Sequence, residues 1–325
     1  MIFLNQIEER AWKAAGLTDT SVVANVQIGS SWIMSTVPCV REGTKWVIPG
    51  IETVIRAYMQ KNDLYTANCR VDMYTDGSNL YTPVNEPLVF SPVSMRKPAT
   101  LTPYVFCSNY FMSHLKTGWM TPEGPFYLHY YDLTEGGSDW AVTYYMKSGT
   151  QQSGTTGHGV EGAGSIPVNY LEGAAMARVI MGSREFRVYF LEFTDYMRFR
   201  FRNPFNALEY VALPCSVTEE PMTEFETARQ EDVESRYDIE EQLEYKVKTP
   251  PLPAFMHDRL LDMCRSRKIE MRDPYNAGST TYEAWSDVLI KDYKLSRSND
   301  PNKPLVLEMT LTFCNTRRNT AVEFE

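Results

Sequence analysis

The chain has 325 residues, 43% hydrophobic and 13% aromatic, with a formal net charge of −9. This composition excludes a disordered chain and supplies enough apolar surface for two or three compact units, or one large β unit with a smaller one. The acidic balance excludes a general nucleic-acid binder, which needs a basic surface against phosphate, and 20 Tyr with 15 Phe favour β structure, where rings pack on a pleated face.

At the N-terminus, Leu4, Ile7, Ala11 and Ala14 share a helical stripe and Gly16 follows, predicting a short amphipathic helix over residues 2–15. The first ten residues have neither a basic start nor a continuous apolar run, so no secretory signal is expected. No stretch reaches the ~20 apolar residues of a membrane span, and a cytoplasmic start is expected. From Ser21 to Lys147 short apolar runs lie between Gly, Pro, Asn and Asp: residues 22–28, 31–40, 45–48, 69–74, 101–107, 126–132 and 140–146. Such runs predict the strands of a β-sandwich-like domain, assigned to residues 1–195. Residues 52–60 fit a helix as well as a strand, because Val54, Ile55, Tyr58 and Met59 satisfy both periods.

Residues 148–165 hold six glycines and, in Val160 and Ile-free neighbours, one apolar side chain larger than alanine, which predicts a mobile loop with too little surface to offset its ordering entropy. No Lys-Ser or Lys-Thr follows, so a phosphate cradle is not supported. Two strands are expected at 185–193 and 196–202. The second sets Met197, Phe199 and Phe201 against Arg198, Arg200 and Arg202, either a solvated face or a docking stripe for an acidic neighbour.

An acidic neighbour exists in the same sequence. Residues 218–244 carry eleven acids, including Glu219, Glu220, Glu224, Glu231, Asp232, Glu240 and Glu241, against Arg229 and Arg236, a net charge equal to that of the whole chain. This segment is expected to be an acidic arm or subunit interface, since its acids lack metal-ligand spacing. Clean alternation at 239–249 and 305–313, a helix ending near Arg265 with Met256, Leu260, Met263 and Cys264 on one face, and strands at 269–272 and 285–295 predict a second domain over residues 196–325 of β-α-β-β-β order. The fold class expected is mainly β with a smaller α+β part.

Catalytic signatures are absent. The six cysteines form no C-x-x-C pair and are expected to be reduced, and His114, His129, His158 and His257 are isolated in sequence. No metal, cofactor or enzymatic activity is therefore expected. A glycosidase would need a carboxyl pair, with Asp132, Glu135 and Asp139 as candidates, and a sugar-binding surface could use Trp119, Tyr127, Tyr130, Tyr131 and Trp140.

The stretch Arg202-Asn203-Pro204-Phe205-Asn206-Ala207-Leu208-Glu209-Tyr210-Val211-Ala212-Leu213, then Arg236-Tyr237-Asp238 and Glu244-Tyr245-Lys246-Val247-Lys248-Thr249-Pro250-Pro251-Leu252, resembles a pattern in tail structural proteins of Bacteroides-type phages and prophages. It continues through residues 261–266, 287–292 and 307–313, so that the likeness covers residues 185–325. Some proteins of that kind resemble the distal tail ring. The resemblance implies a structural virion component that assembles in the host bacterial cytoplasm into a homo-oligomeric ring and meets other tail proteins, without binding nucleic acid or membrane. In that expectation the Arg198/Arg200/Arg202 face meets the acidic arm of a neighbouring copy. The competing expectation is a module that binds a bacterial surface glycan.

Overall fold

The computed structural model describes residues 1–7, 21–43, 45–75, 78–79, 84–92, 101–122, 124, 126–193, 196–230, 233–272, 285–296, 304–314 and 318–319. Its first sheet is built from β1 (Ile2–Phe3), β2 (Val23–Ile28), β3 (Ser31–Pro38), β6 (Thr66–Thr75), β7 (Ser78–Asn79) and β8 (Val84–Val89). A small hairpin of β4 (Val40–Glu42) and β5 (Lys45–Val47) and the helix α1 (Ile51–Lys61) lie between β3 and β6. The main path runs β1-β8-β6-β2-β3. Ala24, Val26 and Ile28 alternate inward on β2 and share a core with Ile51, Ile55 and Met59 of α1. That spacing of four residues puts the three on one helical face, which resolves residues 52–60 as helix. The described part of the expected N-terminal helix, residues 2–7, is instead β1 followed by a 3-10 turn at Leu4–Gln6; the rest lies outside the described residues. The parallel pairing of Ile2 with Leu88 and Phe3 with Val89 places these backbone groups beside a sheet partner, and Phe3 is fully buried.

A second unit follows: α2 (Pro103–Asn109), β9 (Thr117–Met120), β10 (Phe126–Asp132), β11 (Asp139–Met146), β12 (Gln151–His158), β13 (Gly162–Val168), β14 (Ala174–Met181) and β15 (Arg184–Phe190). The β10–β13 pair faces the five-stranded sheet β12-β11-β14-β15-β9 across a shared core that includes Phe126, Leu128, Ile166, Val142, Val179 and Val188. Two expectations are corrected in this unit. Residues 101–107 are not a strand: Thr102 accepts a hydrogen bond from the Val105 amide at 3.2 Å and Pro103 opens the helix α2, a cap and first-turn pairing that starts helices.

The glycine-rich segment 148–165 is not a loop either, since most of it is the strands β12 and β13. Its ordering comes from rings on the neighbouring strands. A Cβ on Gly154 would stand 2.3 Å from the Tyr144 ring, on Gly157 2.4 Å from the Trp140 ring, and on Gly164 2.3 Å from Tyr130 Oη. Each glycine leaves the space that a partner ring fills, so the segment gains burial that its own side chains lack. Residues 1–195 thus supply most of three buried clusters among the described residues: one within residues 4–90, one within 111–190, and a third of Phe3, Val89, Phe106, Cys107 and Met112 that also takes in Phe205 and Ala207.

The last unit comprises β16 (Met197–Arg202), β17 (Leu208–Leu213), β18 (Ser216–Gln230), β19 (Val233–Lys248), α3 (His257–Cys264), β20 (Ile269–Arg272), β21 (Trp285–Leu295), β22 (Leu307–Phe313) and β23 (Arg318–Asn319). They form an eight-stranded sheet in the order β17-β16-β20-β21-β22-β19-β18, with β23 pairing β19, curled into a half-barrel. Inward residues Phe199, Phe201, Tyr245, Val247, Leu307, Met309 and Leu311 share a core with Met256, Leu260 and Met263 at α3, and Trp119 from β9 enters the same core. The expected order β-α-β-β-β holds for β19-α3-β20-β21-β22, and the mainly β class is observed. The segment read as an acidic arm is a long hairpin, β18–β19.

Candidate assembly surface

The β18–β19 ladder runs from Ser216↔Lys248 to Gln230↔Val233, whereas other strands pair β19 only at Glu244–Lys248 (β22) and Glu240–Glu241 (β23). From Phe225↔Ile239 to Gln230↔Val233 the two strands have only each other among the described residues. Six successive pairs at ~3.4 Å make a projection of about 20 Å beyond the sheet. A two-stranded ribbon of this kind is marginal in water by itself. Its root is braced by three ion pairs: Lys246–Glu220 at 2.6 Å, Lys291–Glu244 at 2.6 Å and Lys248–Glu308 at 2.7 Å. The Lys246–Glu220 and Lys248–Glu308 pairs are exposed and individually weak, whereas Glu244 is largely covered; together the three favour one register.

Of the acids expected at the interface, Glu219 is exposed beside the root and Glu220 is in the Lys246 pair. Glu224 stands opposite Glu240 and Glu241 opposite Thr223 in the ladder, while Glu231 and Asp232 lie outside the described residues. The arginine stripe is engaged within its own chain. Arg200 makes a two-pronged pair with Glu270, at 2.8 and 2.6 Å, and its guanidinium sits 4.7 Å from the Trp285 ring centre. Arg198 stacks on Tyr196, 5.6 Å from its ring centre, and Arg202 meets Asp63 at 2.9 Å.

Strand direction decides how stripe and arm are related. Four antiparallel steps, β16–β20, β20–β21, β21–β22 and β22–β19, make β16 and β19 parallel. The arm leaves from the start of β19 and Arg202 ends β16, but the register through β20, β21 and β22 sets Arg202 level with Glu244 at the root of the arm, with three strands between them. The structure does not bring the expected residues together in one copy.

What it does assemble at the Arg202 end is a cation cluster absent from the sequence reading. Asp63, left-handed at φ 55° just after α1, is surrounded by Arg202 at 2.9 Å, Arg267 at 3.7 Å and Lys268 at 3.6 Å. Aspartate tolerates that backbone better than most residues. Arg267 also donates to the Gln60 carbonyl at 2.6 Å and to Asn206 Oδ1 at 3.0 Å, and Asn206 Nδ2 donates to the Leu64 carbonyl at 2.9 Å. Burial lowers the Arg267 pKa below its ordinary value; Asp63 opposes that and Arg202 adds to it. Three cations around one carboxylate leave positive charge over. All three cations lie 139 or more residues beyond Asp63 in the sequence, and no local spacing signals their meeting.

Glu209, buried, lies 2.9 Å from the buried Arg259 and accepts from Asn203 Nδ2 at 2.6 Å. Beside it is a cavity of about 10 Å³ lined by Met112, His129, Asn203, Glu209 and Arg259, among others. Burial lowers the pKa of His129, whose Nε2 donates to the Leu208 carbonyl at 2.9 Å, and pushes the Asp262 carboxyl, 3.6 Å from His114, up to about 7. Asp132 is buried against Arg184 at 3.3 Å; burial raises its pKa, but hydrogen bonds from Ser138 and Thr134 and the Arg184 charge hold it below the ordinary carboxylate range. Trp119 and Tyr130, two of the five rings considered for sugar stacking, are buried, and Trp119 Nε1 donates to the Ala212 carbonyl. Burial pushes the Cys107 and Cys264 thiols to about 12 and those of Cys39 and Cys215 to about 11, far from a neutral-pH thiolate. Among the described residues, no three His, Cys, Asp or Glu are grouped for a metal ion.

Compared with protein-family models and with curated proteins, the chain matches none.

Proposed function

We propose that this chain is a structural subunit of a phage tail or virion, acting by self-assembly and by docking neighbouring tail proteins. The observation that carries the reading is the β18–β19 hairpin, which outruns its sheet by about 20 Å. An isolated ribbon gains most when a partner surface covers it, and a subunit that reaches past its own fold suits an extended assembly. The likeness of residues 185–325 to tail structural proteins points the same way. On this reading the subunit assembles in a bacterial host cytoplasm and ends in the virion.

Light scattering of the purified full chain over a concentration series, with electron microscopy of the same samples, tests the proposal. Discrete rings or stacked particles are expected. A monomer at millimolar concentration, combined with selective capture on a glycan array, would reverse the reading in favour of surface-glycan binding.

A further inference from the structure

We infer that the cavity beside Glu209 is a site for one water molecule, which joins the Glu209 carboxylate to the Arg259 guanidinium and spans the seam between the second and the last unit. Three observations carry it. The first is what stands unpaired. Glu209 and Arg259 are buried, and although Arg259 Nη2 lies 2.9 Å from Glu209 Oε2, that oxygen, Arg259 Nε and Arg259 Nη1 have no aligned hydrogen-bond partner in the protein. Buried polar groups are costly to leave unsatisfied, charged ones most of all. The pair is not free to realign. Glu209 Oε1 accepts from Asn203 Nδ2 at 2.6 Å, while the guanidinium lies 4.9 Å from the Phe126 ring centre and Nη1 is pressed to β9, where a Cβ on Gly118 would stand 2.4 Å from it.

The second is room. Both side chains line the cavity, and its volume of about 10 Å³ is close to that of one water-sized sphere. Tyr127 lines it too and is 39% exposed, so solvent is close by and the site fills without unfolding. The third is charge. A carboxylate and a guanidinium face one small space, so an anion meets Glu209 and a metal cation meets Arg259, whereas a water donates to the first and accepts from the second. Met112, Ser113 and His129 bring the second unit to this cavity, and Asn203, Glu209 and Arg259 bring the last. A water held here therefore fastens two units at a point where their own polar atoms do not meet.

A high-resolution crystal structure of the full chain tests the site. One ordered water is expected within ~2.7–3.2 Å of a Glu209 carboxylate oxygen and of an Arg259 nitrogen. In the double variant Glu209→Leu with Arg259→Met the position is expected to be dry, as apolar cavities are. In solution, water-selective NOE spectra of methyl-labelled methionine ask the same without a lattice. The Met112 methyl, at the cavity, is expected to show a bound-water signal, and the buried methyls of Met59, Met256 and Met263, which do not line it, are expected to show none. No density at that position in wild type, or a Met112 methyl as silent as the other three, overturns the site. So does a water that stays in place in the double variant, because Glu209 and Arg259 are then not what holds it. Should the double variant fail to fold, the two wild-type measurements decide the matter, and none of these results bears on whether copies assemble.

Discussion

Arg259→Met is the substitution whose cost follows most directly from the structure. Arg259 and Glu209 are 3% and 7% exposed and lie 2.9 Å apart, but Glu209 Oε2, Arg259 Nε and Arg259 Nη1 have no aligned hydrogen-bond partner. Removing the cation leaves a buried carboxylate unpaired, which costs about 3–5 kcal/mol. The guanidinium also lies 4.9 Å from the Phe126 ring centre and 5.8 Å from that of Trp119; losing these contacts adds about 1 kcal/mol, while the methionine stem retains much of the packing. The expected loss is therefore about 4–6 kcal/mol, read by urea unfolding with tryptophan fluorescence, for which Trp119 is a nearby reporter. The double variant Arg259→Met with Glu209→Gln removes the stranded charge and keeps an acceptor for Asn203. It is expected to recover most of the loss, because an ill-aligned buried pair contributes little net stability over neutral groups of similar size. Equal destabilisation of the single and double variants would refute the pairing argument.

Three further outcomes are expected. Gly164→Ala would push a methyl group against the buried Tyr130 ring, so a loss of about 1–3 kcal/mol is expected; a neutral or stabilising result in thermal unfolding would return residues 148–165 to a loop. Asp262 has its folded pKa raised to about 7 by burial first, so its contribution to stability is fully present below the ordinary carboxylate pKa and is lost as pH rises from there through about 7. Asp262→Asn should flatten that decline, and parallel stability–pH curves for variant and wild type would count against it. His158, exposed, is held above the ordinary histidine pKa by Asp139 at 2.7 Å and the Gly136 carbonyl at 2.7 Å; its contribution is present below pH ~6.5 and fades as pH rises through the raised value. An NMR titration of the His158 ring in wild type and in Asp139→Asn checks it, the pKa being expected to fall in the variant.

The sequence was most legible where one chain segment decides its own burial. Met197, Phe199 and Phe201, or Leu307, Met309 and Leu311, sort inward by a period of two, and the strands form where that alternation places them. It was least legible where the decisive atoms belong to another strand. Gly154, Gly157 and Gly164 look like loop residues until Tyr144, Trp140 and Tyr130 cover them, and nothing within residues 148–165 announces those rings. Thr102-Pro103 did announce a helix start locally, but the apolar run after it reads equally as a strand.

The same distinction governs the surface. A row of arginines spaced by two is visible in sequence as a basic stripe, yet a stripe is available to a partner only if its own sheet supplies no counter-charge. Glu270 on β20 takes Arg200, because the antiparallel register places Glu270 directly opposite it, and Tyr196 takes Arg198 locally. Only Arg202, at the strand's end, reaches beyond the sheet, where α1 delivers Asp63 and the turn before β20 delivers Arg267 and Lys268. Strand ends, where neighbouring register no longer pairs every side chain, are where uncompensated charge collects. For this chain that rule puts excess base at the finish of β16, where Arg202, Arg267 and Lys268 gather around the single carboxylate of Asp63.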